Sequence, residues 1–154
     1  MENEKLLAKN LFDYSRTIAK PWVETVDYTR EPLLKISEFI IELGKTLDPE
    51  IYEQRGENVW VAKSAKVFDS AYLGGPLIIC EDAEIRQCAF IRGNAIVGRG
   101  AVVGNSTELK NSILFDGVQT PHYNYIGDSI LGYKSHTGAG VITSNLKSDK
   151  SLVT

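Results

Sequence analysis

Residues 77–103 read LIICEDAEIRQCAFIRGNAIVGRGAVV, and a bulky apolar residue returns at every sixth position: Ile79, Ile85, Ile91, Val97, Val103. Followed outward, the same step takes in Val61, Val67 and Leu73 before this stretch and Leu109 and Phe115 after it. Val, Ile, Leu and Phe supply only 44 of the 154 residues, too few for chance to put ten in step. A second, mostly smaller residue follows four places after each: Ala65, Ala71, Leu77, Ala83, Ala89, Ala95, Ala101, Thr107, Ile113. A period of six fits neither a helix nor simple strand alternation. It fits a solenoid whose flat walls are short strands of one hexapeptide each. Three walls close a coil, so residues 18 apart stack, with coils about 4.8 Å apart. The large residue fills the interior and the small one sits where the wall turns. The spacing predicts an all-β solenoid, a parallel β-helix, over residues 57–154.

Residues 1–56 lack this period. Leu6, Leu7, Leu11, Phe12 and Ile18 recur at helical spacing, and Pro21 is expected to end that helix. A second helix is expected to start at Pro32, to carry Leu33, Ile36, Phe39, Ile40 and Leu43 on one face, and to stop at Gly44. The stretch KTLDPEIYEQRGENV, residues 45–59, reads as a linker. An open coil end exposes unpaired strand groups, so the segment 1–56 is read as an N-terminal helical cap over it.

An apolar fraction of 43% with 24% charged residues is that of an ordinary globular protein. A net charge of −3 gives nucleic acid or a membrane surface no electrostatic reason to bind. The start MENEKLLAKN has no apolar core of a signal peptide, and no 18-residue apolar run exists, so the expected location is the cytoplasm. Cys80 and Cys88 form no CxxC pair and read as packed thiols of a reducing compartment.

Arg92 and Lys110 each follow a large apolar position and lie 18 residues apart. Stacking places them outward on one wall of adjacent coils, where two cations repel unless an anion joins them. A phosphate suits that role; Glu108 or another acid is the equal alternative. After Phe115 the period fails. Residues 116–125, DGVQTPHYNY, are expected to leave that same wall as a loop bearing His122 and Tyr125, with the rhythm resuming at Ile126, Leu131 and Thr137. A histidine on a loop thrown from a rigid solenoid has the layout of an active site.

The hexapeptide pattern resembles the left-handed β-helix acyltransferases, and the left hand comes from that resemblance, since ordinary parallel crossovers are right-handed. PHYNYIGDSILG (residues 121–132) and HTGAGVITSNLKSDK (residues 136–150) sharpen it. Over residues 58–154 the chain is similar to the acetyltransferase domain of the bifunctional enzymes that acetylate glucosamine-1-phosphate and then uridylylate it. It is closer still to the C-terminal half of prokaryotic sugar-1-phosphate nucleotidylyltransferases. The resemblance implies that His122 is the catalytic base and that Arg92 and Lys110 are sugar-phosphate ligands. It places Tyr125, His136, Asn145 and, within one residue, Lys150 at substrate-contacting positions. It makes the Ala139 amide the group facing the thioester of acetyl-CoA. His136 stands where the family usually has Asn, and Leu146 where it has Tyr.

The implied reaction is metal-free acetyl transfer from acetyl-CoA to the amine of an amino-sugar 1-phosphate, in a homotrimer with sites between neighbouring solenoids. Residues 1–56 hold no glycine-rich nucleotide loop and are too short for a nucleotidylyltransferase domain, so that activity is not expected. The family's further coils, which supply most of its CoA pocket, are expected to be missing. The rival reading is a non-catalytic trimeric β-helix module that binds a sugar phosphate or nucleotide sugar. A β-helical carbonic anhydrase fails by count, because zinc there needs three histidines and only His122 and His136 exist.

Overall fold

The computed structural model describes residues 4–29, 31–144, 147 and 149–151. Strands follow one another as β1 (Tyr52–Gly56), β2 (Val59–Ala62), β3 (Lys66–Val67), β4 (Tyr72–Leu73), β5 (Leu77–Ile79), β6 (Glu84–Ile85), β7 (Phe90–Ile91) and β8 (Ala95–Val97). They continue as β9 (Val102–Asn105), β10 (Glu108–Leu114), β11 (Gln119–His122), β12 (Tyr125–Leu131) and β13 (Ile142–Thr143). From β2 onward every pairing is parallel and joins one coil to the next.

Three walls result, each with one column of interior residues. The first column is Val61, Ile79, Val97, Leu114, Leu131. The second is Val67, Ile85, Val103, Thr120 and, by backbone bonding, Thr137. The third is Leu73, Ile91, Leu109, Ile126, Thr143. Ile79, Ile85, Ile91, Val97, Val103, Leu109, Leu114 and Ile126 are fully buried. Each such side chain contributes roughly 1.5–3 kcal/mol of burial free energy. Where Thr107 and Thr120 replace apolar residues, their hydroxyls donate to the Thr120 and Val102 carbonyls at 3.1 and 3.0 Å.

The wall corners are made by residues in the left-handed backbone region, in columns: Asp82, Gly100, Gly117, Lys134 at one, Cys88, Ser106, Tyr123, Gly140 at another, and Asn94, Asn111, Asp128 at the third. Their spacing reveals where the rhythm breaks. Asn94 to Asn111 is 17 residues, because the two-residue corner Gly93–Asn94 is answered one coil later by Asn111 alone. The Asn111 N–H donates to Gly93 O and the Ser112 N–H to Asn94 O. The tighter corner lets β10 run on from the third wall into the first, pairing with both β7 and β8.

This corrects the expected register. The break falls at Asn111, before Phe115, so Leu114 takes the interior position and Phe115 faces outward beneath the N-terminal segment. No loop leaves the solenoid at residues 116–125. The segment forms an ordinary corner and strand β11, in parallel register with β9: Gln119 opposite Val102, Thr120 opposite Val103, His122 opposite Asn105.

The N-terminal segment also differs from its expected form. Its described residues contain four short α-helices, α1 (Ala8–Leu11), α2 (Lys20–Val23), α3 (Glu31–Leu34) and α4 (Ile36–Gly44), besides two single 3-10 turns. Pro21 lies in the first turn of α2, where its missing N–H costs nothing. At Lys35 the backbone leaves the helical region and separates α3 from α4. The helices lie against the first wall rather than over the coil end. That wall presents an outward column of Trp60, Ile78, Ile96, Ile113 and Ile130, and α4 packs against β5 and β8. Gly44 is demanded there by contact, since a Cβ would strike the Trp60 ring. Phe12 meets Phe115 with ring centroids 5.3 Å apart. On the first wall the coil edge is paired by β1, an antiparallel strand inside the expected linker. The Tyr52 hydroxyl on β1 donates to Glu81 at 2.6 Å, and the Arg99 Nε donates to the same carboxylate at 3.3 Å.

Candidate functional site

The third wall carries the expected phosphate ligands, in register. The Arg92 N–H donates to Leu109 O, placing Arg92 beside Lys110, and Lys110 stands opposite Gly127 of the next coil. Both cations already have carboxylate partners. Arg92 lies 2.9 Å from Glu108, and Lys110 lies 3.1 Å from Asp128. Asp128 also accepts from the Asn111 side chain at 2.8 Å. The Arg92 and Lys110 side chains remain 49% and 41% exposed, so these are solvent-screened pairs. The hydrogen bond and charge of Glu108 hold the Arg92 guanidinium above its ordinary pKa. Asp128 was not foreseen, because the one-residue shortening at Asn111 stacks Gly127 on Lys110 and brings Asp128 beside it.

Tyr125 starts β12 opposite Glu108. Its ring lies along the strand over Gly127, where an added Cβ would sit 2.6 Å from the hydroxyl. Gly127 stands opposite Lys110, so the Tyr125 hydroxyl lies over the position stacked on Lys110. Arg92, Lys110 and the Tyr125 hydroxyl thus share one end of the third wall, where Glu108 and Asp128 pair the two cations.

His122 closes β11 at the other end of that wall. Its side chain is exposed, and its ring makes no hydrogen bond among the described residues. The residue opposite Gln119 in the next coil is His136, and the Gly140 N–H donates to His122 O at 3.1 Å. That register stacks Ala139 directly on His122. Ala139 is exposed and its N–H engages no acceptor among the described residues. Gly138 and Gly140 flank it, and a Cβ on either would meet nothing within 4 Å. A histidine and an unengaged backbone donor are therefore adjacent on an open surface.

The remaining predicted residues join less closely. His136 is exposed on the second wall, three residues before Ala139. Lys150 lies in a turn in which its N–H donates to Lys147 O, and no ion pair or hydrogen bond ties its side chain to the other site residues among the described residues. Asn145 lies outside the described residues. Asn124, a buried amide between His122 and Tyr125, was not singled out by sequence reasoning. It interrupts a column of small residues that counting by 18 misses, because Asn124 lies 17 residues after Thr107. Among the described residues no group of three or more His, Cys, Asp or Glu side chains is placed to hold a metal, and no helix is long and apolar enough to cross a membrane.

Comparison with known proteins bears on the family and the fold. A bifunctional protein GlmU of Methanococcus vannielii is 33% identical over 160 aligned residues, covering the whole of this chain and 36% of that protein. A GlmU of Bartonella quintana is 30% identical across 92% of this chain and 29% of its own length. A GlmU of Methanococcus maripaludis reaches 45% over 42% of this chain and 16% of its own. The chain thus spans little more than a third, at most, of these relatives. The acetyltransferase domain of PglB from Neisseria gonorrhoeae superposes with a TM-score of 0.53 at 20% identity, over 55% of this chain and 42% of that one, which supports the left-handed β-helix fold. Residues 73–149 match the model of the GMPPB C-terminal domain, from the third wall of the first coil through the turn that carries Ala139. The chain belongs to the GMPPB C-terminal domain family and takes a left-handed parallel β-helix fold.

Proposed function

We propose that this chain is an acetyltransferase module that moves an acetyl group from acetyl-CoA to the amine of an amino-sugar 1-phosphate. The observation that carries this reading is the stacking of Ala139 on His122, with Arg92, Lys110 and Tyr125 at the far end of the adjoining wall. A sugar spans such a wall. Its phosphate exchanges with Glu108 and Asp128 at the two cations, which fixes the amine near the histidine. The amine nitrogen attacks the thioester carbonyl carbon, the new C–N bond forms, and the carbonyl electrons move onto oxygen, where the Ala139 N–H donates to them. His122 takes the proton released by the amine. When the intermediate collapses, the C–S bond breaks and CoA leaves as the thiol after receiving that proton.

The third wall also supports the proposal that the working form is a homotrimer. Tyr72 and Phe90 stack in register below Glu108 and Tyr125, with Ile142 above them, and Tyr72 and Ile142 are 60% and 68% exposed. A second copy laid on that wall would cover these rings and enclose the site.

The test is to mix the purified chain with acetyl-CoA and a panel of 2-amino-sugar 1-phosphates and to follow thiol release. Release that needs the sugar, and that falls about a thousandfold or more in His122→Ala, is the expected result. Release unaffected by that substitution removes His122 as the base. No release with any sugar, while a sugar phosphate still binds, leaves a binding module.

A further inference from the structure

One small residue per coil stands where the second wall meets the third. The residues just before the paired set Tyr72, Phe90, Glu108, Tyr125 and Ile142 are Ala71, Ala89, Thr107, Asn124 and Val141. Asn124 is the exception in this column, a planar polar side chain that is only 3% exposed. A buried amide must find partners or lose its hydration without return. Asn124 finds them in two coils. Its Oδ1 accepts from the His122 N–H at 3.2 Å, and its Nδ2 donates to Gly138 O at 2.8 Å and reaches Val141 O at 3.5 Å. Its own N–H donates to the Thr107 hydroxyl at 3.4 Å, and its carbonyl accepts from Glu108 N at 2.8 Å.

Gly138 O and the Ala139 N–H belong to one peptide unit. In a planar trans peptide the C=O and N–H point in opposite directions. A buried donor that holds Gly138 O toward the solenoid therefore holds the Ala139 N–H away from it, into open space. Gly138 O also accepts from the Val141 N–H at 3.3 Å, the turn bond that recurs at other corners. The Asn124 amide thus adds a second, shorter bond to a turn whose glycines, Gly138 and Gly140, carry no side chains to stiffen it. The same Asn124 amide secures the backbone of His122.

We propose that Asn124 is a positioning residue: it aims the Ala139 N–H outward as an oxyanion donor and locks it in place relative to His122. The catalytic half of this assignment rests on the acetyl-transfer reading above; the structural half does not.

Two variants and two readouts separate these halves. Asn124→Ala removes both ends of the bridge. Asn124→Asp keeps the volume and the acceptor for His122 N–H but lacks the donor to Gly138 O. Amide hydrogen exchange at Gly140, whose N–H bonds His122 O, is expected to quicken about tenfold in both, with the Val103 and Leu109 amides unchanged as the folding control. The kcat for acetyl transfer is expected to fall about a hundredfold, the usual loss of one oxyanion donor, while KM for the sugar phosphate moves less than about threefold. Unchanged exchange at Gly140 overturns the proposal outright. Faster exchange with unchanged kcat shows that Asn124 holds the turn but does not serve transfer, and overturns the oxyanion assignment. A wild-type chain that transfers nothing sinks the acetyl-transfer reading and the catalytic half with it, and the exchange measurement then decides the structural half alone.

Discussion

At Gly127 a missing side chain makes room for a functional one. The Tyr125 ring lies over this glycine, and a Cβ there would crowd the hydroxyl and the ring edge rather than any backbone atom. Gly127→Ala is therefore expected to swing the ring aside at little cost in stability. We expect KM for the sugar phosphate to rise about tenfold, with a thermal midpoint within about 3 °C of wild type. A KM that stays put would mean that the tyrosine hydroxyl does not touch the phosphate. Gly104 makes the contrast, since a Cβ there would collide with the Pro121 backbone, which cannot move aside. Arg92 and Lys110 were legible as residues because the six-residue step told which side chains face out, whereas His122 and Tyr125 were singled out by an expected loop that proved to be strand and corner, and by the family resemblance. Asp128 and Asn124 were not, because their roles depend on which atoms of the next coil lie above them. The one-residue shortening at Asn111 changed that alignment.

Among the elements, the solenoid strands follow their hexapeptides closely, whereas the N-terminal helices do not follow their apparent periods. Pro21 opens α2, and Lys35 splits what reads as one helix. Short segments take their shape from the wall they cover, here the isoleucine column beneath α4. Strand β1 is held by a hydrogen-bonded group that was invisible in the linker sequence. Burial pushes the Glu81 carboxyl up, but the Tyr52 hydroxyl, its own backbone N–H and Arg99 outweigh it, leaving the carboxyl below its ordinary value. Burial raises the Tyr52 hydroxyl, and it raises the Cys80 thiol beneath it to about 12. Because Glu81 binds its proton less readily when folded, the stability it contributes is present above the ordinary carboxylate range and is lost as pH falls through the lowered value. Glu81→Gln is expected to lower the urea midpoint at neutral pH, and the gap to wild type should shrink between about pH 5 and pH 3. A gap that stays constant down to pH 3 would show that the Tyr52–Glu81–Arg99 contact does not hold β1.

For the whole molecule, the three walls have three different surroundings. The first is covered by the chain's own helices, the second presents mainly polar and charged residues, and the third leaves Tyr72, Phe90 and Ile142 exposed beside the phosphate patch. We expect light scattering at micromolar concentration to give three times the 17.1 kDa chain mass. Phe90→Glu should shift that mass toward one chain, because a carboxylate in the covered stripe is costly to desolvate. A monomeric wild-type mass would overturn both the trimer and a site shared between solenoids.

The six-residue recurrence of Val, Ile and Leu by itself determined that this chain is a three-walled β-helix, because only that geometry buries every sixth residue. It also placed Arg92 beside Lys110, since stacking by whole coils is arithmetic. What only the tertiary structure decided is the later register, the site of the helical layer and the pairing of Ala139 with His122. A corner of two residues and a corner of one both satisfy the local backbone, and the choice between them rests on contacts with the coil below. From Asn111 onward, that choice sets which atoms face each other across the site.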